Sequence, residues 1–581
     1  MRSSSVCLAV LVCGVADAFV APRPAPVAQV VRRSSSEESA REEIALRNEE
    51  SSDSLPPVSS SYQPVAAPSQ LALAGLVAER CLGFAADRMG DANSRRRGAR
   101  RGRGERVVVL GSGWGAAALV SALGESYGGG VTVVSPRNYF LFTPMLAGAS
   151  VGTVEYRSIC EPLRSINGAV DYLEATATRI DVERKVVVCE AVVCEGSQCS
   201  IDEFEVPYDV VVCATGATTN TFGVPGVREH CLFLKQIADA DALRQGLGNC
   251  FERANLPTLS DAERRRALSF AVVGAGPTGV EFCGELLDFL ESEALAFYPK
   301  LVGEASVTLL EATTTVLGAF DASLRDVAVG ELEKSRNGGG IRGVDIRLGA
   351  AVTEVNGTHV LLGGDDPLPY GLCVWATGNG PTRVVTDTLK ALGADGAQGD
   401  AQAWARGRFG VDAWLRVLGA PPGEVFAIGD CAADVVDFAA ETKATLPATA
   451  QVAAQQGEYL ARLLKLGPDY DLAKPEPSRP RGAADDDRRL DELFCDERAG
   501  HLVARPFQFL NLGILAYVGD GKALAQVALG DGDLGVKAAG RAAFGLWRSV
   551  YISKQVSPRN RLLVIGDWVR TRVFGRDITR F

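Results

Sequence analysis

Two six-residue stretches carry the residue types that a phosphate group needs around it. They are Gly111-Ser112-Gly113-Trp114-Gly115-Ala116 and, 163 residues further on, Gly274-Ala275-Gly276-Pro277-Thr278-Gly279. In such a loop the first glycine permits a tight turn and the second lets the backbone approach a pyrophosphate. A small third residue, Ala116 or Gly279, lets the following helix pack on a sheet. The unpaired amides at the helix start then face the phosphates. Glu311 ends the strand that follows the second loop. A carboxylate there accepts hydrogen bonds from a ribose 2′-hydroxyl and repels a 2′-phosphate. After the first loop the same place holds Ser135-Pro136-Arg137, and the acid is missing. Two such loops in one chain point to one nucleotide reducing another.

Other candidates for chemistry are fewer. Glu281 lies one turn into the helix after the second loop, with Glu285 one turn beyond it. Gln451 and Gln455 stand four apart, so on a helix both amides face one way. Taken alone, that pair reads as an exposed polar stripe. Three histidines and no Cys-x-x-Cys give a metal site little material, and none is expected. Cys189, Cys194 and Cys199 form no framework, and the thiols are expected to be scattered and reduced.

The elements that must position these residues follow from the pattern. Val107-Val108-Val109-Leu110 reads as a strand running into the first loop, 117–123 as a helix, and Val131-Thr132-Val133-Val134 as a second strand. The arrangement recurs with Phe270-Ala271-Val272-Val273, a helix over 280–290 extended by 291–304, and Val307-Thr308-Leu309-Leu310. Each is the strand, turn, helix, strand context of a dinucleotide-binding unit. Three strand-to-turn segments complete the set: Val210 through Thr215-Gly216, Val374 through Thr377-Gly378, and Val425 through Gly429-Asp430. The fold class expected is α/β.

At 581 residues, 47% apolar and 23% charged, the chain has material for two or three domains. A net charge of -11 argues against a nucleic-acid partner. No stretch approaches 18 uncharged apolar residues, so no spanning helix is expected. The first residues read as an address: Arg2, an apolar run from Val6 to Ala16, then Ala16-Asp17-Ala18 and Phe19. That order is similar to the two-part presequences of complex plastids, although 37–53 is acidic. A secretory signal or a mitochondrial presequence stays open. Residues 19–105 read as transit peptide or linker. Acidic as the chain is, 541–581 holds nine Arg/Lys against two Asp. Phe544, Trp547 and Tyr551 fall at helical spacing there, as do Ile565, Trp568, Val569 and Val573. Such faces match helices lying in an anionic bilayer surface; packing on the protein or on a second copy is the alternative.

From 106 to the end the chain resembles the type II NADH dehydrogenases, in their eukaryotic branch. The resemblance rests on 134–144 (Val-Ser-Pro-Arg-Asn-Tyr-Phe-Leu-Phe-Thr-Pro), 220–226 (Asn-Thr-Phe-Gly-Val-Pro-Gly), 276–281 (Gly-Pro-Thr-Gly-Val-Glu), 450–455 (Ala-Gln-Val-Ala-Ala-Gln) and 511–519 (Asn-Leu-Gly-Ile-Leu-Ala-Tyr-Val-Gly). It implies a two-dinucleotide-domain flavoprotein with an NADH Rossmann domain inserted in an FAD Rossmann domain, and a C-terminal membrane-binding region. The implied bounds are 1–18 signal-like, 19–105 transit or linker, 106–232 and 385–465 FAD domain, 233–384 NADH domain, and 466–581 C-terminal region. FAD would meet Gly111, Ser112, Gly113, Gly115, Ala116, Arg137, Thr143, Thr215, Gly216, Gly429 and Asp430. NADH would meet Gly274, Gly276, Pro277, Thr278, Gly279, Glu311, Thr377 and Gly378. Glu281 would hold the nicotinamide or supply protons, and Gln451, Gln455 and Tyr517 would line the quinone site. The activity implied is NADH oxidation through FAD to a membrane quinone, ubiquinone or plastoquinone, without proton pumping, by a peripheral homodimer. Its membrane would be mitochondrial by resemblance or plastid by the presequence. An NADH-sensing flavoprotein similar to apoptosis-inducing factor, and a soluble reductase of a one-electron carrier, remain alternatives.

Overall fold

The computed structural model describes residues 105–579, apart from short stretches at 126, 128–129, 196–197, 337–339, 365, 394–398, 400, 403–404, 438–441, 444–445, 467–469, 475–477, 481–493, 499 and 528–535. The presequence expectations for 1–18 and for 19–104 lie outside the described residues.

Strands that read as unbroken apolar runs are buried on both faces, which is what a parallel sheet covered by helices requires. Val107–Leu110 is such a strand, each residue 0% or 1% exposed. It pairs in parallel with Val131–Val134 on one side (Val107 opposite Val131) and with Val210–Cys213 on the other (Val107 opposite Val210). Asp171–Leu173 and Val425–Ala427 complete five strands, all parallel. A second five-stranded parallel sheet runs Leu232–Phe233, Leu372–Trp375, Ser269–Val273, Ser306–Glu311 and Asp345–Leu348. Its strands lie in sequence between Val210–Cys213 and Val425–Ala427, so the second unit is inserted in the first. Each unit also carries a three-stranded antiparallel sheet just before the strand that runs into its closing turn, Val210–Cys213 or Leu372–Trp375. The chain thus builds one plan twice.

Where the units cross, Thr218–Thr219 pairs antiparallel with Asn379–Gly380. These residues follow Thr215-Gly216 and Thr377-Gly378, so one short bridge ties the closing turns of both units together. Helix Ala450–Lys465, capped by Thr449 Oγ1 accepting from Val452 N, lies along the first unit's helix Trp114–Leu123. The approach is close: a Cβ at Gly457 would stand 2.3 Å from Gly115 O.

Beyond residue 510, strands Ile514–Gly519, Lys522–Val527 and Val536–Gly540 form an antiparallel sheet, followed by helices Arg541–Ser553 and Pro558–Phe574. The sheet docks on the inserted unit. A Cβ at Gly284 would lie 2.7 Å from Gly519 N, so helix Pro277–Phe289 meets that strand backbone to backbone. Lys522–Glu331 and Lys537–Asp321 flank the contact at 2.6 and 2.8 Å. The last helix docks instead on the first unit, through Arg570–Glu155 (2.6 Å), Asp567 accepting from Glu155 N (2.9 Å) and Ser557–Glu161 (2.8 Å). The C-terminal region therefore clasps both units.

Three sequence expectations need correction. Cys194 and Cys199 are joined as a disulfide, because hairpin strands Val186–Glu195 and Gln198–Pro207 place them directly opposite. The other described cysteines are free, though not all scattered, since Cys231 Sγ lies 3.4 Å from Cys373 Sγ. The helix after the second loop does not run to 304. It continues from Phe289 through one wide turn, Leu290–Ala294, and stops at Phe297. Finally, Phe544, Trp547, Tyr551 and Trp568 do not form an outward face. They stack on one another and on Tyr517, with centroids 4.5–6.4 Å apart. Arg548 lies 4.5 Å over both Phe544 and Trp568. The last helix instead leaves Leu562, Leu563, Ile565, Val569, Val573 and Phe574 exposed. Among the described residues no helix is long and apolar enough to cross a membrane.

Candidate active site

The two glycine turns have matching geometry. Gly111 has φ +107° and Gly274 φ +104°, a region open to glycine and strained for other residues. Side chains would also collide there: a Cβ at Gly111 would lie 2.5 Å from Ala214 O, and one at Gly274 would lie 2.7 Å from Thr377 Cβ. At Gly113 and Gly276 nothing stands within 4 Å of a Cβ. These are the positions where backbone must meet a ligand, and the space in front of them is clear. Each glycine carbonyl already starts its helix, from Ala117 N (2.9 Å) and Val280 N (3.1 Å), leaving the first-turn amides free to point outward. The residues present fit two nucleotide diphosphates.

The first cradle is deeply set, with Ser112, Gly115 and Ala116 buried. In place of an acid, Ser135 Oγ donates to Ser112 Oγ (3.1 Å) and accepts from Arg137 N (3.2 Å). Arg137 reaches Gln236 at 2.5 Å, and burial lowers its pKa. Thr143 Oγ1 accepts from the indole of Trp114 (3.1 Å). Thr215 Oγ1 meets Thr382 Oγ1 at 2.9 Å, Gly216 has φ +70°, and Gly429 N donates to Gln456 Oε1 at 2.6 Å. Asp430 is raised by burial and held down by the positive charges of Lys235 and Arg408. Lys235 is lowered by burial and raised by Asp430, and its Nζ donates to Asn379 Oδ1 at 2.8 Å.

The second cradle is more open: Pro277 and Thr278 are exposed while Gly279 is buried. A Cβ at Gly279 would fall 1.9 Å from Gly274 O, so only glycine closes this turn. Glu311 sits at the strand tip beside the loop, its Oε2 accepting from Ala275 N (2.7 Å) and its Oε1 from Thr313 N (2.8 Å). Thr377 and Ala376 stand against Gly274 from the neighbouring strand end, whereas Gly378 meets Asn220 and Phe222.

Between the units and the C-terminal region lies a pocket lined by Glu281, Glu285, Thr153, Tyr517, Trp547 and Trp568 among others. Glu281 is buried, and burial pushes its carboxyl up to about 8; one oxygen accepts from Tyr517 N at 3.2 Å. Glu285 is pushed up to about 7 by burial, against the pull of Arg576, and accepts from Thr153 Oγ1 at 2.6 Å. Tyr517 donates to Asp288 at 2.5 Å, and burial raises its phenol. Arg576, past the last helix, pairs with Glu293 at 2.7 Å and Glu285 at 3.8 Å.

Gln451 and Gln455 do share one face, but their amides are spent on backbone. Gln455 donates to Leu510 O (2.8 Å) and accepts from Leu510 N (2.9 Å); Gln451 donates to Gly513 O (2.8 Å) and accepts from Leu512 N (3.3 Å). Tyr517 stands apart from them, in the Glu281 pocket. Sequence reading missed Gln456, Lys235, Asn379 and Arg576. Gln456 follows Gln455 directly and was open to notice; the others reach the site only through long-range packing.

A family model described as pyridine nucleotide-disulphide oxidoreductase matches residues 105–457, and one described as NDH2 C-terminal domain matches 511–577. The chain is 36% identical over 562 residues to an external alternative NAD(P)H-ubiquinone oxidoreductase, mitochondrial, of Arabidopsis thaliana, covering 81% of this chain and 89% of the relative. It is 36% identical over 504 residues to the external alternative NADH-ubiquinone oxidoreductase of Yarrowia lipolytica mitochondria, covering 82% and 80%. The solved NDH2 of Plasmodium falciparum in complex with NADH shares the fold at a TM-score of 0.68 and 23% identity, over 82% of this chain and all of that one. With the cradles, the inserted unit and the C-terminal domain all accounted for, the chain belongs to the type II NADH dehydrogenases, single-subunit FAD enzymes that oxidise NADH and reduce quinone.

Proposed function

We propose that this chain oxidises NADH at the Gly274 cradle and reduces ubiquinone at a mitochondrial membrane, with FAD held at the Gly111 cradle. The carrying observation is the Thr218–Thr219 to Asn379–Gly380 bridge, which fixes the closing turns of the two cradles against each other. FAD, when bound, takes two electrons from a nicotinamide and gives them to a quinone. The chain supplies grip, orientation and protons. The amides after Gly111 and the pair Lys235–Asp430 hold the flavin nucleotide; Arg137, Thr143, Thr215 and Gly429 close around it. Glu311 holds the adenosine ribose of NADH, its second partner being the loop itself.

Burial leaves Glu281 protonated at neutral pH and Glu285 close to its midpoint there, so the two are suited to hand protons onward when a quinone becomes a quinol. Gln451 and Gln455 act by pinning 510–513 beside the flavin cradle, shaping the quinone site with backbone rather than with their own amides. The domain reading remains 106–232 with 385–465, 233–384 and 466–581, the first cut falling inside the strand Leu232–Phe233 of the inserted sheet. The exposed row on the last helix, flanked by Arg559, Arg561 and Arg572, fits an anionic bilayer surface. A homodimer through the C-terminal part follows the family resemblance; sedimentation of the purified protein tests it. Phe19 behind a small-residue run favours a plastid address as a second reading, with plastoquinone as acceptor. A fluorescent fusion to residues 1–105 decides between the organelles.

The function is tested with vesicles of anionic lipid containing long-chain ubiquinone. Wild type should bind them and oxidise NADH. Val569→Asp with Phe574→Asp should bind roughly a hundredfold more weakly, each lost side chain being worth about 1.5 kcal/mol or more. Activity toward a short-chain soluble quinone should survive. Unchanged binding would remove the membrane role from this helix.

A further inference from the structure

We infer that Phe222 is the aromatic cover of the nicotinamide half of the NADH site. The inference rests on the reading of the Gly274 loop as the NADH cradle. Phe222 is 52% exposed, although large aromatic rings are usually buried. Its backbone is left-handed, with φ +55°, a conformation that ordinary side chains avoid and that concentrates at functional sites.

The strain is held in place from several directions. Phe222 N donates to Asn220 Oδ1 at 2.8 Å, the indole of Trp375 donates to Asn220 O at 3.1 Å, and Asn220 N donates to Gly378 O at 3.3 Å. The ring lies against Gly378, where a Cβ would be 2.9 Å from its edge and 2.3 Å from Asn220 O. Gly378 thus has to be glycine so that the segment carrying Phe222 can close on the end of strand Leu372–Trp375.

Sheet order says which half of the dinucleotide passes there. Ser269–Val273, which leads into the glycine loop, has the Glu311 strand on one side and Leu372–Trp375 on the other. With the pyrophosphate over the loop, the adenosine turns toward the acid and the nicotinamide half toward Thr377-Gly378. The ring of Phe222 stands on that second side. There it offers the nicotinamide ring an apolar wall that sheds water from the reacting face.

The test measures equilibrium binding of NAD+ and of ADP-ribose, which lacks only the nicotinamide ring, to the oxidised holoenzyme. Phe222→Gly removes the ring and relieves the left-handed strain, so the variant should fold with no loss of thermal stability. NAD+ binding should weaken roughly tenfold, as for one lost aromatic contact, while ADP-ribose binding is unchanged. Phe222→Tyr, which keeps the ring, should restore NAD+ binding, and the KM for NADH should move with the NAD+ affinity. Equal weakening of both ligands, or no change in NAD+, would overturn the role of Phe222. Wild type that binds neither ligand would overturn the cradle reading beneath it.

Discussion

The two nucleotide units begin alike and finish differently. Both turn on a glycine with φ near 105° and both keep open space at the second glycine. The first then shuts itself in: helix Ala450–Lys465 lies on Trp114–Leu123, and Gln456 ties down Gly429. The second leaves Pro277 and Thr278 in solvent and keeps its acid at the rim. A resident cofactor calls for the closed form and a substrate that comes and goes for the open one. The third position follows the same division, since Ala116 carries a Cβ in a buried seat whereas Gly279 has none to spare.

That contrast can be broken most strongly at Gly279. A methyl placed 1.9 Å from Gly274 O has to shift the loop, at a cost of about 3 kcal/mol, so Gly279→Ala should weaken NADH binding by roughly a hundredfold. Flavin content, read from visible absorbance, should stay whole; loss of flavin as well would mean the units are not independent. Gly113→Ala is the mirror experiment. Its Cβ meets no protein atom, so the chain should fold with an unaltered circular dichroism spectrum and carry far less than stoichiometric FAD.

A smaller effect sharpens the comparison at the rim. Glu311→Gln removes the charge that repels a 2′-phosphate and should raise the ratio of NADPH to NADH efficiency by about tenfold. Steady-state kinetics with both nucleotides checks it, and an unchanged ratio would take specificity away from Glu311. The smallest effect concerns the pocket between the units. Glu281 has an unfolded value near 4.5 and a folded value of about 8, so its contribution to stability is whole below pH 4.5 and is lost as pH rises through 8. Glu285 adds to the same trend up to about 7. Thermal midpoints of wild type should therefore fall between pH 6 and 9, and Glu281→Gln should flatten that fall. A wild-type midpoint that rises over this range would contradict the burial of these acids.

Much of this division was legible in the chain. Glycine loops and unbroken valine runs are local signals with one good structural solution each. Glu311 was marked by its place at the end of the next strand, although it lies further from its loop than the fingerprint spacing. What could not be read depends on segments far apart in sequence. Nothing in Gln451 and Gln455 announces that 510–513 will take up their amides. Nothing near Tyr517 says that its strand meets the inserted unit's helix at Gly284 and so places the phenol beside Asp288. The two C-terminal helices have spacing that allows several apolar faces, and only the presence of Tyr517 decides that the aromatic one turns inward. The Cys194–Cys199 pair was within reach, since Glu195-Gly196-Ser197-Gln198 is turn-like and a hairpin there sets the two residues opposite.

The central claim is that a nucleotide in the open cradle reduces one in the closed cradle, and it is tested most directly by flavin absorbance under anaerobic conditions. NADH added to the yellow holoenzyme should bleach the band near 450 nm, as oxidised flavins do on reduction, and a short-chain ubiquinone added next should restore it. A band that persists at saturating NADH, in protein shown to hold its flavin, would contradict the account.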